Sequence, residues 1–160
     1  MLTINIICTG KIKEKYLQEA VAEYTKRLSK YCNLNIIELS DEKLPNNLNK
    51  TIEENIKQKE CKNVMAHLSK DTYTICLDLK GKELSSEEFS KKIENISLNY
   101  NSSITFIIGG TLGLTKELIS KTNESVCFSK MTFPHQLIRV FLLEQIFRAF
   151  KISKGETYHR

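Results

Sequence analysis

The chain has no tryptophan, only two prolines (45 and 134) and only six glycines among 160 residues. So few chain breakers exclude a Pro/Gly-rich low-complexity protein, and no Ser/Gly linker divides the sequence into two domains. No apolar run approaches the roughly 18 residues that a membrane-spanning helix requires. The opening MLTINIICTGKIKEK lacks the basic, apolar and small-residue order of a secretory signal, so a cytoplasmic location is expected. The five cysteines (8, 32, 61, 76 and 127) are odd in number and never spaced C-x-x-C. They read as reduced core thiols, with neither a disulfide framework nor a metal site expected.

Hydrophobic residues make up 41% of the chain and charged residues 27%, which is ordinary for a globular protein and against disorder. The formal net charge is +5, and residues 130–160 carry +4 of it. Lys130, Arg139, Arg148, Lys151, Lys154 and Arg160 stand there against Glu144 and Glu156 alone. A basic end on a balanced body suits a polyanionic partner, although a solvated helix with excess Lys and Arg accounts for the same charge.

Five β-prone runs are apparent: Leu2–Cys8, Leu34–Leu39, Thr72–Leu79, Ile104–Ile108 and Ser125–Phe128. Several are almost continuously apolar, as strands covered on both faces are. Helix-like segments lie between them. Residues 14–30 place Leu17, Val21, Tyr24 and Leu28 on one side. Residues 51–68 open with Thr51-x-x-Glu54, a capping-box pattern, and Ser85 or Ser86 caps a third helix. The alternation predicts a single α/β domain over residues 1–160, with a mainly parallel sheet of five or six strands and helices on both faces.

The final helix stands apart. From Leu137 to Ile152, 11 of 16 residues are apolar, and only Glu144, Arg148 and Lys151 gather into a polar stripe. A helix apolar nearly all round is covered on more than one side, by a second copy of the chain or by packing inside the monomer. The expectation is a homodimer. Arg139 falls on the apolar side, where it must meet either a core carboxylate or a ligand.

Three segments carry candidate chemistry. Phe106-Ile107-Ile108-Gly109-Gly110-Thr111-Leu112-Gly113-Leu114 runs from a strand into a three-glycine turn. Its spacing fits neither the dinucleotide fingerprint nor the P-loop. Phe128-Ser129-Lys130-Met131-Thr132-Phe133-Pro134-His135-Gln136 again follows a strand, and Pro134 is suited to starting the last helix. Gly155-Glu156-Thr157-Tyr158-His159-Arg160 offers an aromatic ring, an imidazole and a guanidinium, on a terminus that by default frays.

Taken in order, Met131-Thr132-Phe133-Pro134-His135-Gln136-Leu137, Leu143-Glu144-Gln145, Arg148-Ala149-Phe150-Lys151-Ile152 and the Gly-Glu-x-Tyr-His ending resemble the ribosomal RNA large subunit methyltransferase H family. So do the Ile-Gly-Gly-x-x-Gly-Leu turn and the opening Gly10-Lys11-Ile12-Lys13-Glu14-Lys15-Tyr16. The resemblance spans the whole chain. It implies a SPOUT-type fold with a C-terminal trefoil knot, which general topology rules would not suggest. It also implies a homodimeric, S-adenosylmethionine-dependent enzyme that methylates N3 of a pseudouridine in 23S ribosomal RNA on the assembled ribosome.

Carried over by position, the implied cofactor residues are Leu77, Gly109, Phe128, Ser129, Lys130, Met131, Thr132 and Phe133, and Gly113 is expected to let the main chain come close to the same ligand. The implied catalytic set is His159 as proton acceptor, with His135 as the other candidate, Arg139 to stabilise the developing anion and Tyr158 to orient the base. His135, Arg148, Lys151, Lys154 and Arg160 are expected to contact RNA. Two other functions fit the same residues: a same-class methyltransferase acting on another RNA such as tRNA, and a non-catalytic ribosome- or RNA-binding factor.

Overall fold

The structure is a computed structural model and describes residues 1–159, so the expectation for Arg160 lies outside the described residues. The elements are β1 (Thr3–Thr9), α1 (Lys15–Leu28), β2 (Asn33–Leu39), α2 (Lys50–Ala66), β3 (Tyr73–Glu83), α3 (Ser86–Asn99), β4 (Ser103–Ile108), α4 (Lys116–Ser120), β5 (Glu124–Cys127) and α5 (His135–Ser153). They build a five-stranded sheet of order β2-β1-β4-β3-β5 in which every pairing is parallel. The sixth strand left open by the sequence does not form.

The apolar runs become strands because both faces are covered. Ile4, Ile6, Ile75, Ile104 and Phe106 pack beneath α1, α3 and α5. Ile7, Cys76 and Ile107 pack on the opposite face beneath α2 and α4. Ser85 caps α3 as expected: its hydroxyl accepts from the Glu88 N–H while the Glu88 carboxylate accepts from the Ser85 N–H. At α2 the cap is Asn49, whose side-chain oxygen accepts from the Ile52 N–H. Thr51 lies inside that helix, because the Asn49 amide oxygen reaches the free N–H groups of a first turn starting at Lys50.

Helix α5 lies between α1 and α3 over the sheet, and Leu142, Leu143, Ile146, Phe147 and Ala149 are buried there. Packing inside one protomer thus covers most of its apolar circumference. Phe141 keeps 37% of its surface exposed and Phe133, just before the helix, also 37%.

β5 has an unusual neighbour. Val126 is in register with Leu77 and again with Lys82, so the segment between those residues folds over the β5 backbone. Gly81 makes the crossing possible. A Cβ there would lie 2.7 Å from Val126 N and 2.8 Å from Ser125 C, both rigid main-chain atoms. A glycine inside a strand often marks such an approach of another backbone. Gly81→Ala is expected to destabilise the protein by at least about 2 kcal/mol through overpacking. A lowered urea midpoint checks this; an unchanged midpoint would show that the crossing tolerates a methyl group.

Candidate functional site

The carboxyl ends of β3, β4 and β5 converge on a cleft of about 730 Å³. Ligands in parallel α/β sheets collect at such ends, and the volume is that of a small-molecule site. The glycine turn after β4 forms one wall. Gly113 adopts φ +82°, in the left-handed region, and its N–H donates to Gly110 O at 3.0 Å. Gly109 is constrained by contact instead: a Cβ would lie 3.0 Å from Gly113 C and from the Leu114 side chain. The turn is held from below by buried Leu114 and by the Thr115 N–H, which donates to Cys61 Sγ.

The loop after β5 forms the opposite wall. Cys127 Sγ donates to Ser129 O, and the Met131 N–H donates to Ser129 Oγ at 3.0 Å, which fixes a tight local turn. Leu77, Gly109, Gly113, Phe128, Ser129, Met131, Thr132 and Phe133 all line the cleft. Lys130 does not, although it belongs to the same loop. Met131 holds 72% of its surface in water despite its apolar side chain. Lys57 of α2, Lys80 of β3 and Lys116 of α4 also border the cleft, outside the motif residues.

Arg139 and His135 lie one turn apart on α5 and have separate surroundings. Arg139 is 1% exposed. It donates to Glu38 Oε2 at 2.6 Å and to Gly10 O at 2.9 Å. It therefore pairs with a carboxylate, one of the two outcomes the sequence left open, although Glu38 itself is exposed, and it does not line the cleft. Its terminal nitrogens hold the ends of β1 and β2 together, while its buried Nε has no hydrogen-bond partner among the described residues. His135 does line the cleft. Its ring rests on Gly10, where a Cβ would come within 2.7 Å of Cε1, and Gly10 itself has φ +106°. Burial, then the charge of Arg139, hold the His135 pKa below the ordinary imidazole value, against an opposing pull from Asp41.

Tyr158 and His159 pack back onto the body of the protein. The Tyr158 hydroxyl donates to Glu144 Oε1 at 3.1 Å, and its ring packs edge-on against Phe147. His159 Nδ1 meets an Arg148 guanidinium nitrogen at 3.0 Å and Nε2 meets Glu87 Oε1 at 2.6 Å. These contacts replace the expected fraying. Burial, then Glu144, push the Tyr158 phenol above its usual pKa, while the His159 hydrogen bond lowers that of Glu87. Arg148 is bound to Glu144 and Lys151 to Glu156. Lys154 has no carboxylate partner among the described residues and sits over the Tyr31 ring. His135 and Arg148 are separated by about 20 Å along α5 at 1.5 Å per residue. Tyr158 folds back beside Glu144 and His159 lies at the start of α3, and neither lines the cleft of its own protomer.

Two further residues escape the motifs. Glu38 is legible only as an acid in a β-prone run until Arg139 reaches it. Glu60 is 6% exposed and braces the glycine turn from behind, with Oε1 3.1 Å from where a Gly110 Cβ would be. Its Oε2 accepts from the Glu42 N–H, and burial raises its pKa.

Comparison with known proteins agrees with this arrangement. A family model described as "Predicted SPOUT methyltransferase" matches residues 2–159. The chain is 54% identical to "Ribosomal RNA large subunit methyltransferase H 1" of Clostridium perfringens (strain SM101 / Type A), over 99% of this chain and 100% of that protein. It is 55% and 52% identical to proteins named "Ribosomal RNA large subunit methyltransferase H" from Clostridium botulinum (strain Kyoto / Type A2) and Clostridium kluyveri (strain ATCC 8527), with the same coverage. A solved methylase family protein from Haemophilus influenzae Rd KW20 superposes with a TM-score of 0.55 at 12% identity, covering 98% of this chain and 70% of that one, a likeness of fold. With a parallel sheet, a strand crossed by its neighbour's extension and a glycine-walled cleft at the same sheet ends, the chain belongs to the SPOUT methyltransferase family.

Proposed function

We propose that this protein transfers a methyl group from S-adenosylmethionine to N3 of a pseudouridine in 23S ribosomal RNA, on the assembled ribosome in the cytoplasm, as a homodimer with a C-terminal trefoil knot. The observation that carries the reading is the cleft between the glycine turn and the 128–133 loop. The names of the relatives support ribosomal RNA as the substrate. The crossing of β5 by the Leu77–Lys82 segment supports the knot.

The residues present fit the methyl donor. A Cβ at Gly109 would press on Gly113, so the turn keeps its main chain bare toward the cleft. Leu77, Met131 and Phe133 supply apolar walls for an adenine ring. When bound, S-adenosylmethionine supplies an electrophilic methyl carbon on a sulfonium sulfur. The protein's part is then mainly alignment, with the nucleophile held in line with that carbon.

The placement of the chain end supports a dimer. Tyr158 and His159 do not line their own cleft, so their work on the target base takes place at the cleft of a second copy. Exposed Met131, Phe133 and Phe141 beside the cleft supply apolar surface for that copy to cover. Tyr158 orients the base there, and Arg148, Lys151, Lys154 and Arg160 hold flanking phosphates. Arg139 serves through the helix it anchors.

Calorimetry is expected to show wild-type protein binding S-adenosylhomocysteine, with a loss of at least about tenfold in Gly109→Val, where a branched side chain meets Gly113. Equal affinity in the two proteins would remove the turn from the site. A mixed dimer pairing a Gly109→Val subunit with a His159→Ala subunit is expected to regain ribosome methylation relative to either parent. Failure of that rescue, with both parents folded and inactive, would count against sharing of the site between subunits.

A further inference from the structure

The chain has three histidines, His67, His135 and His159, and the geometry around the last two differs in a way that bears on the proton lost during the reaction. At His159 the partner of Nδ1 is a guanidinium nitrogen of Arg148, which only donates. Nδ1 is therefore the acceptor, its lone pair is occupied, and Nε2 carries the hydrogen that points to Glu87. A neutral imidazole has one basic nitrogen, and here it is already used.

His135 keeps its basic nitrogen. Neither ring nitrogen has a hydrogen-bond partner among the described residues, and Nδ1 is the buried one. Nε2 is thus the nitrogen open to the cleft that His135 lines. The ring is held by its contact with Gly10, whose carbonyl is in turn fixed by Arg139. The charged groups around it are Arg139 on the same helix, Glu38 from β2 bound to that arginine, and Asp41 in the loop after β2. Lys57, Lys80 and Lys116 border the rest of the cleft.

The geometry points to His135 Nε2 as the general base that takes the N3 proton of the target pyrimidine. This inference rests on the methyl-transfer reading above and assigns one of its steps. The N3–H bond breaks, its proton passes to Nε2, and its electron pair forms the new bond from N3 to the methyl carbon. The carbon–sulfur bond breaks with its electrons returning to sulfur, leaving a neutral thioether, an N3-methylated base and an imidazolium. Buried beside Arg139, that imidazolium releases its proton to solvent, and the ring returns to the neutral form that a base requires near neutral pH.

His135→Gln keeps the size of the ring and removes the basic nitrogen. Single-turnover methylation of unmodified ribosomes is expected to slow about 100-fold or more, with S-adenosylhomocysteine affinity unchanged. The wild-type rate should rise with pH through one ionisation, and the residual rate of His135→Gln should lack that limb. A second readout needs no activity. NMR titration of the imidazole resonances in the ligand-free protein should place His135 below the ordinary value of about 6.5, with the same midpoint as the rate. The inference is overturned by a wild-type rate in His135→Gln, by loss of ligand binding in that variant, or by a His135 midpoint at or above the ordinary value. Wild-type protein that binds the ligand but methylates no ribosomal RNA would overturn the underlying reading as well, before any variant is made.

Discussion

The buried guanidinium of Arg139 is the constraint on which the working end of the molecule depends. An arginine with 1% of its surface exposed cannot be left without acceptors, and here it has two from different strands: the Glu38 carboxylate at the end of β2 and the Gly10 carbonyl just after β1. Those bonds fix where the first turns of α5 sit relative to the sheet. The Ile12 N–H, which also donates to Glu38, adds the start of the next loop to the same knot of contacts. Gly10 has no side chain because the His135 ring occupies that space, and its φ of +106° suits no other residue. One ion pair thereby sets the position of an imidazole in the cleft without touching a ligand.

α5 then acts as a spacer. Its first turn contributes His135 and Ile138 to the cleft, while its last turns carry Arg148 and the folded-back Tyr158 and His159. Glu144 organises this second group, accepting from both Arg148 and Tyr158. The two groups sit on different parts of one helix, and Tyr158 and His159 do not line the cleft of their own protomer. That placement is the reason for reading the enzyme as a pair of chains.

Much of this was legible in the residues themselves. Apolar runs located all five strands, because strands covered on both faces need little alternation. Ser85 was one of two candidate caps for α3, and the glycine turn together with the Phe128–Phe133 run marked both walls of the cleft. What could not be read were contacts between segments distant in the chain. The partner of Arg139 lies 101 residues away, and no spacing rule connects them. Thr51 matched a capping pattern that Asn49 satisfies, since the choice depends on where the first turn begins. Gly81 carried a faint signal, a glycine within a strand, but the backbone it makes room for is more than 40 residues further on.

That crossing at Gly81 also bears on the order in which the protein can be completed. Strands β1 to β4 lie within the first 108 residues, whereas α4 and α5, which cover parts of both sheet faces, come later, and β5 has to settle under a segment of β3 already in place. The cleft is completed only when β5 and the loop beyond it arrive. A nascent or truncated chain lacking its last third would therefore lack one wall of the cleft and also the α5 side chains that cover one face of the sheet.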